Sequence, residues 1–352
     1  SSVARQRASS RRFPSPARLG PRGRMATLTG QPPDREEPVV ECCLESAHNL
    51  AAVLAALQLR EKEQKDQRVH CEASARGLKF VAQSGGKDIA VLGWMFSNAF
   101  KTYTFSGDSE IHLKLPVAPL LSCLMIFSDR SALTFKYPSG PSNELHFTLE
   151  DEGATTECRL RTLVLDEAPA HVTFFAPEDD VRNISVFRPA YPEAWYQALS
   201  EFEGLDAPDV VLQITIRSPT PAFEAGRLAA VVLRAQTITN DAEVIMHREC
   251  LEDFSLSPEA AAAGEISHKY LLTSVLSSCV RAAKDAKAVK VRINDTGVMS
   301  IQYILKARGT QQTQLFCEAL ICPLADVPGV ALGGTGAGST SMMASQPLLS
   351  RK

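Results

Sequence analysis

The sequence predicts an α+β protein of two tandem, similar domains, each an antiparallel sheet with helices gathered on one face. Three observations predict it: an internal repeat at an offset of 156 residues, apolar stripes at helical spacing, and runs in which apolar and polar residues alternate. Slid by that offset, LKLPVAPLLSCLMIFSDRSALTFKY (113–137) falls on KYLLTSVLSSCVRAAKDAKAVKVRI (269–293), and ELHFTLEDEG (144–153) falls on SIQYILKARG (300–309) without a gap. Eight identities lie in the 41 positions from 113 to 153, against roughly two or three expected from composition. Ser122-Cys123 meets Ser278-Cys279 and Asp129 meets Asp285. Similar pairs such as Leu133/Val289, Lys136/Arg292 and Phe147/Tyr303 extend the match.

Taken in order, the first half opens with an amphipathic helix carrying Leu50, Val53, Leu54 and Leu57, capped by Ser46. Strands follow around Val69–Ala75 and Leu78–Ala82, joined at Arg76-Gly77. The repeated unit is then a helix from about 117 to 128, a strand at 132–137, a Pro-Ser-Gly-Pro turn and a strand at 144–149. In the second half a helix spans Ala194 to Phe202, with Trp195, Leu199 and Phe202 on one face, and Val210, Leu212, Ile214 and Ile216 alternate as a strand. The second repeat unit sets Leu271, Leu272, Val275, Leu276, Cys279 and Val280 in one helical stripe. Val289, Val291 and Ile293 then alternate with Lys290 and Arg292, a turn follows at Asn294-Asp295-Thr296-Gly297, and Ile301, Tyr303 and Leu305 resume the alternation. A further strand is expected beyond Gly153 and beyond Gly309. The organisation expected is a disordered basic segment 1–37, an N-terminal domain 38–165, a connector 166–183, a C-terminal domain 184–327 and a disordered Gly/Ser-rich tail 328–352.

Composition sets the class. The chain has 352 residues, 45% hydrophobic and 22% charged, enough for two ordinary cores. No stretch approaches eighteen uninterrupted apolar residues, and no apolar signal core follows the basic start. Nine cysteines lie scattered without zinc spacing, and they read as buried, reduced thiols of an intracellular protein of cytosol or nucleus. Residues 1–24 hold seven arginines and no acid, so the net charge of −3 becomes −10 for residues 25–352. Met25 sits where a start would be natural, which leaves residues 1–24 as a leader, a basic targeting tail or an artefact of gene modelling. Arg11-Arg12 is a candidate nuclear signal.

Two tandem α+β halves, each with two helices backed by antiparallel strands, resemble the plan of the PCNA-like sliding clamps. The segments HNLAAVLAALQLREK (48–62), RGLKF (76–80), LLSCLMIF (120–127), DVVLQITI (209–216) and GVMSIQYIL (297–305), in that order, resemble the Rad-one family, the PCNA-like member of the Rad-nine, Rad-one, Hus-one checkpoint clamp. The resemblance covers nearly all of about 40–325. It implies helices that line a pore and a heterotrimeric ring with Rad-nine-like and Hus-one-like subunits. It also implies a clamp loader, double-stranded DNA encircled at recessed ends, activation of the DNA-damage checkpoint kinase, support of DNA repair, and the nucleus. No cofactor, metal, membrane or small-molecule substrate is implied. The basic N-terminus, the Gly/Ser tail and the alanine-rich insert around 258–264 depart from the family and inherit no role.

The charges bear on the DNA expectation. Ser274, Ser277, Arg281 and Lys284 fall at i, i+3, i+7 and i+10 on the helix near 271–284, a polar stripe opposite the apolar one. Lys287 extends it, and Arg60, Lys62 and Lys65 follow the first helix. The DNA-facing candidates are therefore Arg60, Lys62, Lys65, Ser277, Arg281, Lys284 and Lys287, contacting phosphates without reading bases. An ordinary solvated helix face is the other reading of this stripe. The helix at 117–128 lacks basic residues, and the one near 193–203 carries Glu193, Glu201 and Glu203. A 3′–5′ DNA exonuclease is the enzymatic alternative, with Asp241-x-Glu243, Glu178-Asp179-Asp180 and Asp151-Glu152 as its carboxylates. Metal-dependent nucleases need several carboxylates converging on one or two ions, and these acids fall in unrelated settings. No catalytic residue is expected, and His48 and His112 are expected to face solvent. A homotrimeric replication-type clamp is the remaining alternative.

Overall fold

The computed structural model describes residues 38–59, 67–126, 131–138, 144–165, 170–174, 183–205, 207, 209–218, 229–309 and 314–324. The first half contains β1 (Val40–Leu44), α1 (Ala47–Ala56), β2 (Arg68–Ser74), β3 (Gly77–Gln83), β4 (Ile89–Phe96), β5 (Thr102–Phe105), β6 (Ile111–Pro116), α2 (Val117–Leu124), β7 (Ala132–Tyr137), β8 (Glu144–Asp151), β9 (Ala154–Arg161) and β10 (Leu163–Leu165). The second half contains β11 (Ile184–Pro189), α3 (Pro192–Ser200), β12 (Val211–Arg217), β13 (Ala229–Gln236), β14 (Asp241–His247), β15 (Leu251–Ser255), α4 (Pro258–Ala263), β16 (Glu265–Leu271), α5 (Leu272–Lys284), β17 (Ala286–Asn294), β18 (Met299–Leu305) and β19 (Leu315–Ile321). The α+β class is as expected, and β9 and β19 are the strands foreseen beyond the two glycines. The insert at 258–264 forms the short helix α4, capped by Ser257. The expected disorder of 1–37 and 328–352 lies outside the described residues, as does most of the connector.

Local chemistry sets the element ends. Ser46 Oγ accepts from the His48 amide at 3.2 Å, which satisfies one of the free donors at the start of α1. α2 stops at Leu124, short of the expected 128. α3 begins at Pro192, two residues earlier than expected, because proline's fixed φ and missing N–H suit the first turn. Gly77, at φ 131°, turns β2 into β3 where a Cβ would lie 2.2 Å from the Met95 carbonyl oxygen.

The strands form three antiparallel sheets. One has the order β5-β1-β7-β8-β9, one the order β14-β13-β12-β16, and a ten-stranded sheet runs β10-β6-β2-β3-β4-β19-β18-β17-β11-β15. The ten-stranded sheet crosses from one half to the other where β4 pairs with β19, from Phe316 opposite Trp94 to Ile321 opposite Ile89. The helices cover its middle in the spatial order α2, α1, α5, α3, with α1 on β4 and β19 and α5 on β18 and β19. Gly93 in β4 lets α1 approach: a Cβ there would lie 2.6 Å from Val53 and 3.3 Å from Leu57. One continuous core joins the helices to all three sheets.

Polar ties fix the two halves at the junction. The Asn49 side chain donates to the Arg308 carbonyl at 2.9 Å and accepts from the Arg308 amide at 2.8 Å. Asp88 accepts from Ser84 at 2.6 Å and from Ser274 of α5 at 3.1 Å. On the sheet's other face a second apolar cluster of Val81, Ala90, Leu92 and Leu320 is closed by the connector residue Phe174. The Asn294 side chain donates to the Phe174 carbonyl at 2.8 Å, and the Arg292 guanidinium lies 4.4 Å from the Phe174 ring centroid. Arg292 is itself held by Glu318 at 2.7 Å.

Candidate nucleic-acid interface

Of the expected DNA-facing residues, those within the described residues fall on the helix row or beside it. Ser277, Arg281 and Lys284 share α5, and Lys287 stands near the start of β17. Arg60, Lys62 and Lys65 lie outside the described residues. The polar stripe is narrower than the spacing implied. Ser274 is buried and spends its hydroxyl on Asp88, because α5 packs here against the β3–β4 turn. Ser277 is half-buried and donates to the Ser274 carbonyl at 3.1 Å. Arg281 reaches across to the segment just after α1, where its guanidinium donates to the side-chain oxygen of Gln58. Lys284 and Lys287 are exposed.

The seam between α1 and α5 is an open depression floored by Ala52, Ala55 and Ala56 and rimmed by Arg281 and Lys284. Small alanines bring the backbone of α1 near the surface without adding charge. His48 does not add charge either, because burial, and then Arg308, lower its pKa. Cations at Arg281 and Lys284 sit in the last turn of α5, where the helix dipole favours them. Lys306 and Arg308 join this corner from the end of β18, since the Lys306 amide donates to the Asp285 carbonyl at 2.9 Å. Sequence reasoning missed both: they read as the end of a strand, and only β18's return past the tip of α5 places them here. Acids flank this corner: Glu193, exposed on α3, faces Lys306 at 3.9 Å, and Glu201 is exposed just past the end of that helix. This corner can screen phosphates, and it presents no base-reading set.

The carboxylates considered for nuclease chemistry are dispersed. Asp241 and Glu243 project from β14, Asp151 and Glu152 sit at the β8–β9 hairpin, and 178–180 lie outside the described residues. Among the described residues no group of three or more His, Cys, Asp or Glu could hold a metal ion. His48 and His112 both depart from their expected solvent exposure: each is half-buried, and His112 stacks on His70 with ring centroids 5.2 Å apart. All nine cysteines are free. Cys42, Cys71, Cys279 and Cys317 are buried as expected, whereas Cys250 is exposed. Burial pushes the Cys279 thiol up to about 11 and Cys317 to about 12, which leaves them un-ionised.

Among the described residues each sheet ends in strands with one edge unpaired, β9 and β14 among them. β9 ends the five-stranded sheet and β14 ends the four-stranded one. Each presents backbone N–H and C=O groups to solvent in the manner that invites another strand.

The model of the family described as repair protein Rad1/Rec1/Rad17 matches residues 39–305. Among solved structures, the chain is similar to one in the PCNA2–PCNA3 complex of Sulfolobus tokodaii. The identity is 12% and the TM-score 0.59, over 80% of this chain and 98% of that chain. No curated protein matches the sequence.

Proposed function

This chain belongs to the repair protein Rad1/Rec1/Rad17 family, and from that premise we propose that it is a non-catalytic subunit of a heterotrimeric, ring-shaped DNA clamp. The observation that carries this reading is the β4–β19 junction. By the internal repeat, β14 is the counterpart of β4 and β9 the counterpart of β19, and among the described residues each has one edge without a partner strand. The chain therefore uses one junction within itself and offers the same junction, at two edges, to neighbours. The PCNA-like fold supports the arrangement. The neighbours in this reading are Rad-nine-like and Hus-one-like subunits. A clamp loader places the ring on double-stranded DNA at recessed ends, in the nucleus, to activate the DNA-damage checkpoint kinase and support repair.

The helix row supplies a sequence-independent lining. Arg281, Lys284, Lys287 and Lys306 screen phosphates, while topology, rather than affinity, retains the duplex. Weak lining charge suits a ring that must slide. Purification from native cells followed by identification of bound proteins tests the heteromeric ring. Loading the purified complex on nicked circular DNA tests the encirclement. The expected outcome is retention in high salt that is lost when the circle is cut. Equal retention on circular and linear DNA would sink the clamp reading. Asp241→Ala with Glu243→Ala is expected to leave any DNA degradation by the preparation unchanged, and its abolition would favour the nuclease reading.

A further inference from the structure

The internal repeat sets two pairs of cysteines in the same place. Ser122-Cys123 on α2 matches Ser278-Cys279 on α5. Both serines donate back along their helix, Ser122 to the Ala118 carbonyl at 2.9 Å and Ser278 to the Ser274 carbonyl at 2.7 Å. One aromatic ring and one more cysteine complete each set. Phe147 of β8 pairs with Cys158 of β9, and its equivalent Tyr303 of β18 pairs with Cys317 of β19. In the second half the Tyr303 hydroxyl accepts from the Trp195 indole at 3.3 Å, is in hydrogen-bond contact with Cys279 and lies near Cys317. Cys279, Tyr303 and Cys317 are all buried, so that set is closed to solvent.

The first half departs from this in two ways. Its ring is Phe147, which carries no hydroxyl and packs edge-on against Phe135 with ring centroids 5.5 Å apart. The thiols of Cys123 and Cys158 meet each other directly, in hydrogen-bond contact. Both cysteines are also only half-buried, within reach of a small solute. Bringing two touching sulfurs to the bonding distance of about 2.05 Å requires a modest shift. That shift falls on a helix of eight residues with no side-chain cap at its start, and on the last strand of the five-stranded sheet.

We propose that Cys123 and Cys158 are an oxidisable dithiol, which a hydroperoxide closes into a disulfide joining α2 to β9. One sulfur, as thiolate, attacks a peroxide oxygen; the O–O bond breaks, hydroxide leaves and a sulfenic acid forms. The second sulfur then attacks the first, the S–S bond forms and the S–O bond breaks. The thiol protons leave with the oxygens, so two thiols and one hydrogen peroxide give a disulfide and two waters. Two electrons pass from sulfur to oxygen. Burial, and then Cys158, raise the Cys123 thiol, so the reaction speeds up as pH rises. The bond ties the end helix of the row to the last strand of its sheet. The proposal goes beyond the clamp reading and does not rest on it.

The test is peptide mapping of the purified full chain, treated with hydrogen peroxide without reductant and blocked at its free thiols before digestion. Trypsin places Cys123 in 115–130 and Cys158 in 137–159, and these two peptides are expected to be joined until dithiothreitol is added. The equivalent peptides 270–281, with Cys279, and 309–351, with Cys317, are expected to stay unlinked. The initial rate should rise about tenfold between pH 7 and pH 8, following the thiolate. In Cys123→Ser and in Cys158→Ser the surviving thiol has no partner, so its sulfenic acid persists. Dimedone should then label each variant roughly fivefold more than wild type. Cys250→Ser, which removes the exposed cysteine, should leave the link unchanged. Circular dichroism identifies a variant that fails to fold, and the wild-type map decides the matter without it. A wild-type map lacking the 115–130 to 137–159 link, equal linkage of 270–281 to 309–351, or linkage between chains through Cys250 instead would each overturn the proposal. Dimedone labelling of the folded single variants no higher than wild type would do the same.

Discussion

At the scale of single residues, the lysines at the tip of α5 and the histidine on β2 make opposite use of exposure. Lys284 and Lys287 are exposed and available to phosphates. Replacing both with alanine should lower the slope of log K against log salt for DNA binding by about 2, since each neutralised phosphate contributes about 0.9. Fluorescence anisotropy across a salt series checks this, and an unchanged slope would remove these lysines from the interface. His70 is buried against His112, with Glu72, Lys79 and His171 around it, and burial first, then His112, lowers its pKa to about 4. The unfolded chain binds a proton near pH 6.5 that the folded chain refuses until about pH 4. Stability from this site is therefore complete above pH 6.5 and is lost as pH falls towards 4. His70→Phe, which keeps a ring on His112, should reduce the loss between pH 7 and pH 4.5 by about 1–2 kcal/mol in urea titrations.

At the scale of elements, much of the fold is legible because the determining patterns are local. The alternation of Leu133, Phe135 and Tyr137 marks β7 at the residues where the structure has it, and Ser46 announces the start of α1. Helix ends are less legible, since α2 stops at Leu124 although the apolar run continues through Met125 and Ile126. Of the interface, the α5 cations could be read from spacing. The burial of Ser274 could not, because Asp88 reaches it from a turn that lies far away in sequence. Lys306 and Arg308 were illegible for the same reason. Gly93 is another residue whose meaning is nonlocal: without a partner helix it is a weak position in a strand. With α1 in place it is what allows contact, and Gly93→Ala should destabilise the chain by about 1–3 kcal/mol through overpacking against Val53 and Leu57. Calorimetry measures it as a lower Tm.

At the scale of the molecule, the shared sheet makes the two halves one mechanical body. The described residues from Pro38 to Leu324 belong to a single unit by their contacts. One calorimetric transition is expected, with van't Hoff and calorimetric enthalpies in agreement, and Gly93→Ala should shift that transition without splitting it. Two separate transitions would show that the halves unfold independently. The join between them also has a consequence for how the protein is made. β4 is among the first strands to leave the ribosome, and its neighbour β19 is the last strand among the described residues. Between them lie more than two hundred residues, so at roughly 5–20 residues per second β4 waits some ten seconds or longer with a bare edge. During that interval the nascent first half displays the open edge that the finished chain keeps on β14. A newly made chain is therefore most exposed to premature partners, and most in need of chaperone cover, before its final strand arrives.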